Sequence, residues 1–396
     1  MSQSHVDVPP TDAAEADTAA PSQEARTILD LYAGKLMPGA TAAALSRIDR
    51  MLPCRSVRRG GAVRALPVSD MIRDLPVRSG GRLYDLADYV SRNRVTGLLI
   101  AQDGGVRLEH YEPGCSETTR WASMSMAKSI ATTLLGVAVQ DGYISSIDET
   151  VVHYLPELAG SAYEGVSIRQ LIQMTSGVRW SDEQVDPASE RRRMLQLQLS
   201  RTPGSILDYM ATLPRVAEPG TVWNYSTGET HVVGALVHAA TGRWLADYLS
   251  DRIWSRLGMD QDAAWQLESP GGLEVGGSGI CATLRDYARF GLFVMNGGTI
   301  GGEPVLPPGW IAEATAARTI GGARLDYGYM WWAVPDALGG LDDGAFSARG
   351  IFGQYLYVNP RRRILVAVLS ARSKPRGAEA ILDNDFFNSV VEALNP

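Results

Sequence analysis

The chain has 396 residues, of which 45% are hydrophobic and 20% charged, and its formal net charge is −7. These values are ordinary for a soluble globular protein that is long enough for one large domain or two closely packed ones. The net negative charge argues against a nucleic-acid or anionic membrane partner. The three cysteines are widely scattered and none stands in Cys-x-x-Cys spacing, so neither a disulfide framework nor a zinc site is expected, and a cytoplasmic setting fits best.

The N-terminal segment shows neither targeting nor folding signals. Residues 1–23 contain no Lys or Arg and are rich in Ala, Asp, Thr, Ser and Pro. We therefore expect residues 1–27 to be a disordered N-terminal segment and residues 28–396 to form the folded domain. No stretch approaches the roughly 18 apolar residues of a membrane span, so no membrane partner is expected.

Two pairs of apolar stretches near opposite ends of the chain have the pattern of β-hairpins. Val95–Gln102 and Val106–Tyr111 flank a turn rich in glycine, and Gln354–Val358 and Ile364–Leu369 flank Asn359-Pro360. Alternating β-branched and apolar residues on both sides of such turns are typical of paired antiparallel strands.

Between these strand pairs the pattern is mostly helical. Trp121–Gln140 is apolar and ends before Gly142, and Ser167 with Gln170 forms a capping-box pattern that opens a further helix. Other segments with helical periodicity are Glu229–Ala240, Thr283–Met295 and Ala378–Leu394.

These elements predict an α+β fold. One antiparallel sheet is built from both chain ends and flanked by helices, and a mostly helical subdomain is inserted within it. We place the sheet part at about 80–150 and 275–396, and the helical part at about 150–275.

The most informative feature is an isolated lysine in the apolar helix. The chain has only three lysines against 34 arginines, and Lys128 is the one charged residue of Trp121–Gln140. A buried lysine can lose its proton and act as a base, whereas arginine stays protonated. Ser125 lies three residues earlier, on the same helix face. Ser125 and Lys128 are therefore a candidate nucleophile and its base, since apolar neighbours and the positive helix end both lower the pKa of a lysine.

Other readings remain open. Lys128 can also be a structural lysine whose stem packs on a core helix while its amine reaches solvent. A Ser-His-Asp triad is compatible with the composition, although no pattern points to it. The five histidines lack metal-ligand spacing, and the chain has no Walker loop or dinucleotide-binding motif, so neither a metal nor a cofactor is expected.

Several separated segments resemble the serine β-lactamase and penicillin-recognising family, in particular its class C-like branch with the 6-aminohexanoate-dimer hydrolases and β-lactamase-like esterases. Their order and spacing carry the resemblance, which spans roughly residues 95–370. The matching segments are Ser125-x-x-Lys128, Asp141-Gly142-x-Ile144, Tyr154–Leu158, Ser167–Ile172, Met174–Gly177, Glu218–Ser226, Ser278–Asp286, Tyr327–Trp332 and Gly350–Gln354.

The resemblance implies a β-lactamase-like fold and a serine hydrolase mechanism. Ser125 would attack a carbonyl to form an acyl-enzyme, and Lys128 and Tyr225 would share proton transfer. The oxyanion would lie between the Ser125 N–H and a backbone N–H near Gly353. Gly353, Gln354 and Phe352 of the third motif, together with Trp180 and Trp331, are further candidates for substrate binding.

Three positions depart from the family pattern. Thr227 stands where the family often has asparagine, and Ile351 and Phe352 replace the usual lysine or histidine of the third motif. Val185–Glu190 resembles the 6-aminohexanoate-dimer hydrolase branch, but Arg191–Ser200 has no acidic or aromatic residue where that branch contacts its substrate.

The sequence thus predicts a serine hydrolase that cleaves a small amide or ester. An acyltransferase with the same chemistry, a β-lactamase or D,D-peptidase, and a non-catalytic binding protein on the same scaffold are the alternatives. The natural substrate and the oligomeric state are not predicted.

Overall fold

The computed structural model describes residues 21–395. No helix in this part of the chain is both long enough and apolar enough to cross a membrane. The strands are β1 (Cys54–Val57), β2 (Val77–Ser79), β3 (Arg82–Tyr84), β4 (Val95–Gln102), β5 (Gly105–Tyr111), β6 (Trp121–Ala122), β7 (Ala263–Gln266), β8 (Ile280–Ala282), β9 (Thr299–Ile300), β10 (Glu303–Pro304), β11 (Arg318–Ile320), β12 (Ala323–Leu325), β13 (Trp332–Ala333), β14 (Phe346–Gly350), β15 (Gln354–Asn359) and β16 (Ile364–Ser370). The α-helices are α1 (Gln23–Tyr32), α2 (Pro38–Leu45), α3 (Ile48–Met51), α4 (Leu86–Arg92), α5 (Met126–Gln140), α6 (Val151–Tyr154), α7 (Ile168–Ile172), α8 (Glu190–Ser200), α9 (Ser205–Thr212), α10 (Thr227–Thr241), α11 (Leu245–Arg252), α12 (Leu284–Met295), α13 (Trp310–Thr315) and α14 (Asp383–Leu394).

The main sheet joins the two ends of the chain, which confirms the predicted α+β fold. Its six strands follow the order β13-β14-β15-β16-β4-β5, and every neighbouring pair is antiparallel. The central contact pairs β16 with β4, where Leu365 lies opposite Ala101. Both predicted hairpins are therefore present, as β4–β5 and β15–β16.

Helices cover both faces of this sheet because successive strand side chains point to opposite sides. On β4, Leu99 and Ala101 belong to the large core that contains α5 and α12. The alternate residues Leu98 and Ile100 belong to a second core that includes Phe386 of α14. The strand is buried from Val95 to Ala101, so it reads as a continuous apolar run.

A second, four-stranded antiparallel sheet was not predicted. Its order is β1-β7-β8-β6. Strand β7 lies inside the stretch predicted as helical, and β1 lies ahead of the predicted sheet part. These strands are only two to four residues long, too short for a periodicity of two to stand out from the sequence. The sheet matters for function because β6 leads directly into the loop that carries Ser125.

The predicted disordered segment 1–27 extends too far. Residues 1–20 lie outside the described residues, but helix α1 begins at Gln23, and the Ser22 side chain caps it by accepting from the Ala25 N–H at 3.2 Å. The helix packs into the large core, where the Tyr32 hydroxyl contacts Met124 Sδ at 3.7 Å. A polar, alanine-rich composition therefore concealed a capped amphipathic helix.

Candidate active site

Ser125 stands at the start of α5, in a loop held by the second sheet. Strand β6 pairs with β8, so that Trp121 lies opposite Ala282. Met124 has the left-handed backbone conformation, with φ of +46°, and its side chain is fully buried. This turn is unusual for a non-glycine residue, and such conformations concentrate at functional sites. Ser125 itself remains partly exposed and lines a pocket.

Lys128 is buried with only 1% of its surface exposed, which excludes the solvent-reaching lysine considered above. Its amine contacts three oxygen atoms: Ser125 Oγ at 3.0 Å, Thr227 Oγ1 at 3.0 Å and the Gly277 carbonyl at 2.8 Å. The predicted pairing of Ser125 with Lys128 is therefore present as a hydrogen bond within the range needed for proton transfer.

Burial lowers the pKa of Lys128 to about 7, because the charged amine loses its hydration. The negative charge of Asp182 acts in the opposite direction and raises this pKa, whereas Arg191 and Arg376 lower it. A substantial fraction of the amine is then neutral near neutral pH and able to accept the Ser125 proton.

Tyr225 joins the same site from the segment that precedes α10. The Lys128 Nζ atom lies 5.0 Å from the centre of its ring, and the Ser125 hydroxyl is close enough to the phenol to lower its pKa. The larger effect is burial, which raises the pKa of Tyr225 well above its usual value. Its phenol is therefore a proton donor at neutral pH.

Ser125 and Tyr225 line a pocket of about 680 Å³, and the buried Lys128 amine contacts Ser125 Oγ from below its surface. Aromatic rings form much of its wall, with Trp223, Tyr225 and Trp332 in mutual contact at centroid distances of 5.9 to 6.2 Å. Of the residues predicted for substrate binding, Trp180 and Gly353 line this pocket. The rest of the lining includes charged side chains of both signs, such as Asp182 and Arg349, so the pocket suits a small substrate with both apolar and polar groups.

Three residues predicted for substrate binding do not reach the pocket. Gln354 is fully buried, and its side chain bonds Trp121 Nε1 and the backbone of Ser370. Trp331 is 1% exposed and packs edge to face on Phe346, while its neighbour Trp332 faces the pocket. Phe352 is also 1% exposed.

The backbone conformation of the third motif explains why Phe352 does not reach the pocket. Phe352 and Gly353 form the turn between β14 and β15 with φ of +65° and +86°. The Phe352 N–H donates to the Pro375 carbonyl at 3.0 Å, which directs the residue into the core and away from Ser125. Family spacing located this turn correctly, but it did not give the direction of each side chain.

The same motif brings a strand unusually close to the nucleophile loop. A Cβ atom on Gly350, the last residue of β14, would lie 2.4 Å from the Ser123 carbonyl oxygen. Only glycine permits this approach. The next residue, Ile351, lines the pocket, and within residues 21–395 neither its N–H nor the Ser125 N–H has a backbone or side-chain acceptor. Both amides are thus free to bind a ligand oxygen.

Two further features were missed from the sequence. Asp182 lies beside Thr227 and accepts the hydrogen bond of its hydroxyl at 2.6 Å. Arg349 also lines the pocket, and it makes no ion pair with any described carboxylate. For Asp182, the one available signal was the replacement of the family's asparagine by Thr227. For Arg349, the signal was its position directly before the third motif, Gly350–Gln354.

A protein with this fold and this site is a serine hydrolase of β-lactamase-like architecture. The sequence profile described as "Beta-lactamase" matches residues 86–386. The chain belongs to the beta-lactamase family.

Similar proteins are hydrolases. A 6-aminohexanoate-dimer hydrolase from Paenarthrobacter ureafaciens is 28% identical over 348 residues, which cover 84% of this chain and 86% of the relative. A D-aminopeptidase from Brucella anthropi is 25% identical over 227 residues, covering 50% of this chain and 42% of that protein.

A Bacillus anthracis structure, provisionally named a 6-aminohexanoate-dimer hydrolase, superposes with a TM-score of 0.81. It is 22% identical, and the match covers 95% of this chain and 98% of that one. At this identity the likeness shows the fold alone.

Proposed function

We propose that the protein hydrolyses a small amide or ester through an acyl-enzyme on Ser125. The neutral amine of Lys128 removes the Ser125 proton as the hydroxyl oxygen attacks the carbonyl carbon. The Tyr225 phenol then gives a proton to the leaving group as its bond to the carbonyl carbon breaks, and the proton held by Lys128 passes back to the phenol. Water attacks the acyl carbon in a second step and gives a proton to Lys128, which returns it to Ser125 Oγ as the acyl group leaves as a carboxylic acid. The observation that carries the proposal is the 3.0 Å contact between Ser125 Oγ and a buried lysine amine.

The developing oxyanion is stabilised by backbone amides. We infer that the Ser125 N–H and the Ile351 N–H bind it, since both lie at the pocket without an acceptor among the described residues. The close approach of Gly350 to Ser123 brings the segment of Ile351 beside the loop that carries Ser125. Removing one such donor typically costs about 10²–10³-fold in rate.

Reaction with a fluorophosphonate tests the nucleophile. We expect the native protein to gain the mass of one phosphonyl group and Ser125→Ala to gain none. Ser181→Ala is the matched control, because Ser181 is a second serine that lines the pocket. Labelling of Ser125→Ala at the native rate would rule out the proposed mechanism.

Arg349 indicates which acyl groups the pocket favours. Two other arginines of the pocket are paired, Arg372 with Asp383 and Arg376 with Asp182. Arg349 donates instead to the neutral Ser347 Oγ at 2.9 Å and Asn384 Oδ1 at 3.4 Å, and its guanidinium lies 5.2 Å from the Trp332 ring centre. A guanidinium without a carboxylate partner in a pocket is suited to an anionic group of the substrate.

A matched pair of esters tests this preference. We expect the mono-nitrophenyl ester of a dicarboxylic acid to be cleaved with a kcat/KM about tenfold or more above that of its methyl-capped counterpart, since a charged hydrogen bond contributes about 1.5–3 kcal/mol. Arg349→Gln should remove the difference, mainly through KM. Arg361→Gln, at an arginine outside the pocket lining, is the control. An unchanged preference in Arg349→Gln would contradict this assignment.

A further inference from the structure

Lys128 must present its lone pair to Ser125 in order to act as a base. A neutral lysine amine has two N–H groups and one lone pair. The structure surrounds the Lys128 amine with three oxygens, so two of them receive N–H groups and the third faces the lone pair. An oxygen that can only accept a hydrogen bond must receive one of the N–H groups, so the lone pair faces the oxygen that can donate.

The Gly277 carbonyl can only accept. The Thr227 hydroxyl can both donate and accept, so on its own it leaves the orientation of the amine undecided. Its proton, however, is taken by Asp182 Oδ1 at 2.6 Å. Thr227 Oγ1 then has only lone pairs left for Lys128, and Ser125 is the one remaining partner that can donate a proton.

We propose that Asp182, acting through Thr227, is a positioning residue that turns the lone pair of Lys128 toward Ser125. This inference rests on the proposed function, since it concerns how the same base is prepared. Neither Thr227 nor Asp182 takes part in bond making. They replace the asparagine that the family often places at position 227, whose amide can also accept from the lysine.

The carboxylate of Asp182 is held firmly enough for this task. Its side chain is 7% exposed and accepts from the Thr227 N–H at 3.1 Å and from Trp180 Nε1 at 3.0 Å. Its other oxygen accepts from Gln184 Nε2 at 3.3 Å and Arg376 Nη2 at 3.2 Å. Five hydrogen-bond donors thus fix the orientation of the Asp182 carboxylate, which in turn fixes the orientation of the Thr227 hydroxyl.

The same arrangement also determines which charges act on the Lys128 amine. The ionisable groups that face Lys128 are Asp182, Tyr225 beside its amine, Arg191 from α8, and Arg376 from the segment after β16. Asp182 favours the protonated amine, and Arg376, paired to it, opposes that effect. The ion pair therefore lets Asp182 hold Thr227 without keeping Lys128 fully protonated.

The second-order rate constant of fluorophosphonate labelling tests the orientation. We expect Thr227→Val to lower it by about 10²-fold, because the isosteric side chain removes the acceptor. Thr227→Ser should retain most of the native rate. The control is Thr230→Val, a buried threonine on the same helix whose hydroxyl contacts Met330 rather than Lys128.

The pH dependence of labelling separates positioning from mere packing. Labelling requires neutral Lys128 and so increases with pH. Asp182→Asn removes a charge that favours the protonated amine, which should move the midpoint to lower pH, while Arg376→Gln should move it to higher pH. Opposite shifts are the expected result, and equal or absent shifts would overturn the inference.

The two proposals fail in different ways. If the native protein is not labelled at Ser125, the proposed function is wrong. If the native protein is labelled and Thr227→Val reacts at the native rate with an unchanged pH profile, the positioning role of Asp182 and Thr227 is wrong while the nucleophile stands. Circular dichroism and thermal unfolding of each variant identify any that fails to fold.

Discussion

Lys128→Met is expected to abolish most of the hydrolysis and at the same time to stabilise the protein. A positioned base contributes about 10²–10⁴-fold in rate, so kcat should fall by at least that factor on any substrate. Methionine has a similar volume and no charge, so it can occupy the buried space of the Lys128 side chain, which is 1% exposed. The exposed Lys35 provides the control substitution, Lys35→Met.

The gain in stability should depend on pH in a defined direction. The pKa of Lys128 is about 7 in the folded protein, below its ordinary value of 10.5. Between these two values the unfolded chain binds a proton that the folded chain does not, so the native protein loses stability as pH falls from 10.5 to about 7. The free energy of unfolding of Lys128→Met should therefore exceed that of the native protein most at pH 7 and below.

Chemical denaturation at several pH values measures this difference. We expect an increase of up to about 4 kcal/mol at low pH, because each unit by which burial lowers the pKa of Lys128 corresponds to about 1.4 kcal/mol and the lost hydrogen bonds of the amine offset part of this gain. The increase should shrink toward zero as the pH approaches the ordinary lysine value. A variant that is less stable than the native protein at every pH would mean that the contacts of the amine outweigh its desolvation.

The core of this site could be predicted because it depends on local spacing. Ser125 and Lys128 are three residues apart on one helix, and their contact at 3.0 Å follows from helix geometry. A single lysine in an otherwise apolar segment also predicts burial. Both statements need no knowledge of the remaining chain.

Side-chain direction could not be predicted in the same way. Trp331 and Trp332 are adjacent, yet one packs on Phe346 in the core and the other lines the pocket. Successive residues of an extended segment point to opposite sides, so an error of one position exchanges a core residue for a pocket residue. Gln354 was misassigned for the same reason, since it lies on the buried side of β15.

Contacts between segments far apart in the chain could not be predicted from the sequence either. Asp182 and Thr227 are 45 residues apart and meet only because the loop after α7 folds against the start of α10. Arg191 belongs to a run of three arginines, a composition that suggests a solvated surface. In the structure Arg191 is nevertheless 2% exposed, and its guanidinium lies 4.7 Å from the Tyr32 ring centre. Tertiary packing overrides composition at both places.

Tyr225→Phe is expected to impair amide hydrolysis far more than the hydrolysis of nitrophenyl esters. An amine cannot leave the tetrahedral intermediate until it receives a proton, whereas nitrophenolate leaves readily without one. Burial raises the pKa of Tyr225, which keeps its phenol protonated and available as the donor. Loss of a general acid costs about 10²–10⁴-fold, so kcat/KM for amides should fall by that factor.

The comparison requires an amide and an ester with the same acyl group, so that binding of the acyl part cancels. Tyr355→Phe is the matched control, because Tyr355 is a second tyrosine that lines the pocket. We expect the nitrophenyl ester to lose less than about tenfold in Tyr225→Phe, since only the minor contact of the phenol with Ser125 is removed. Equal losses for amide and ester would instead assign Tyr225 to the activation of Ser125, because that step precedes leaving-group departure and is common to both substrates.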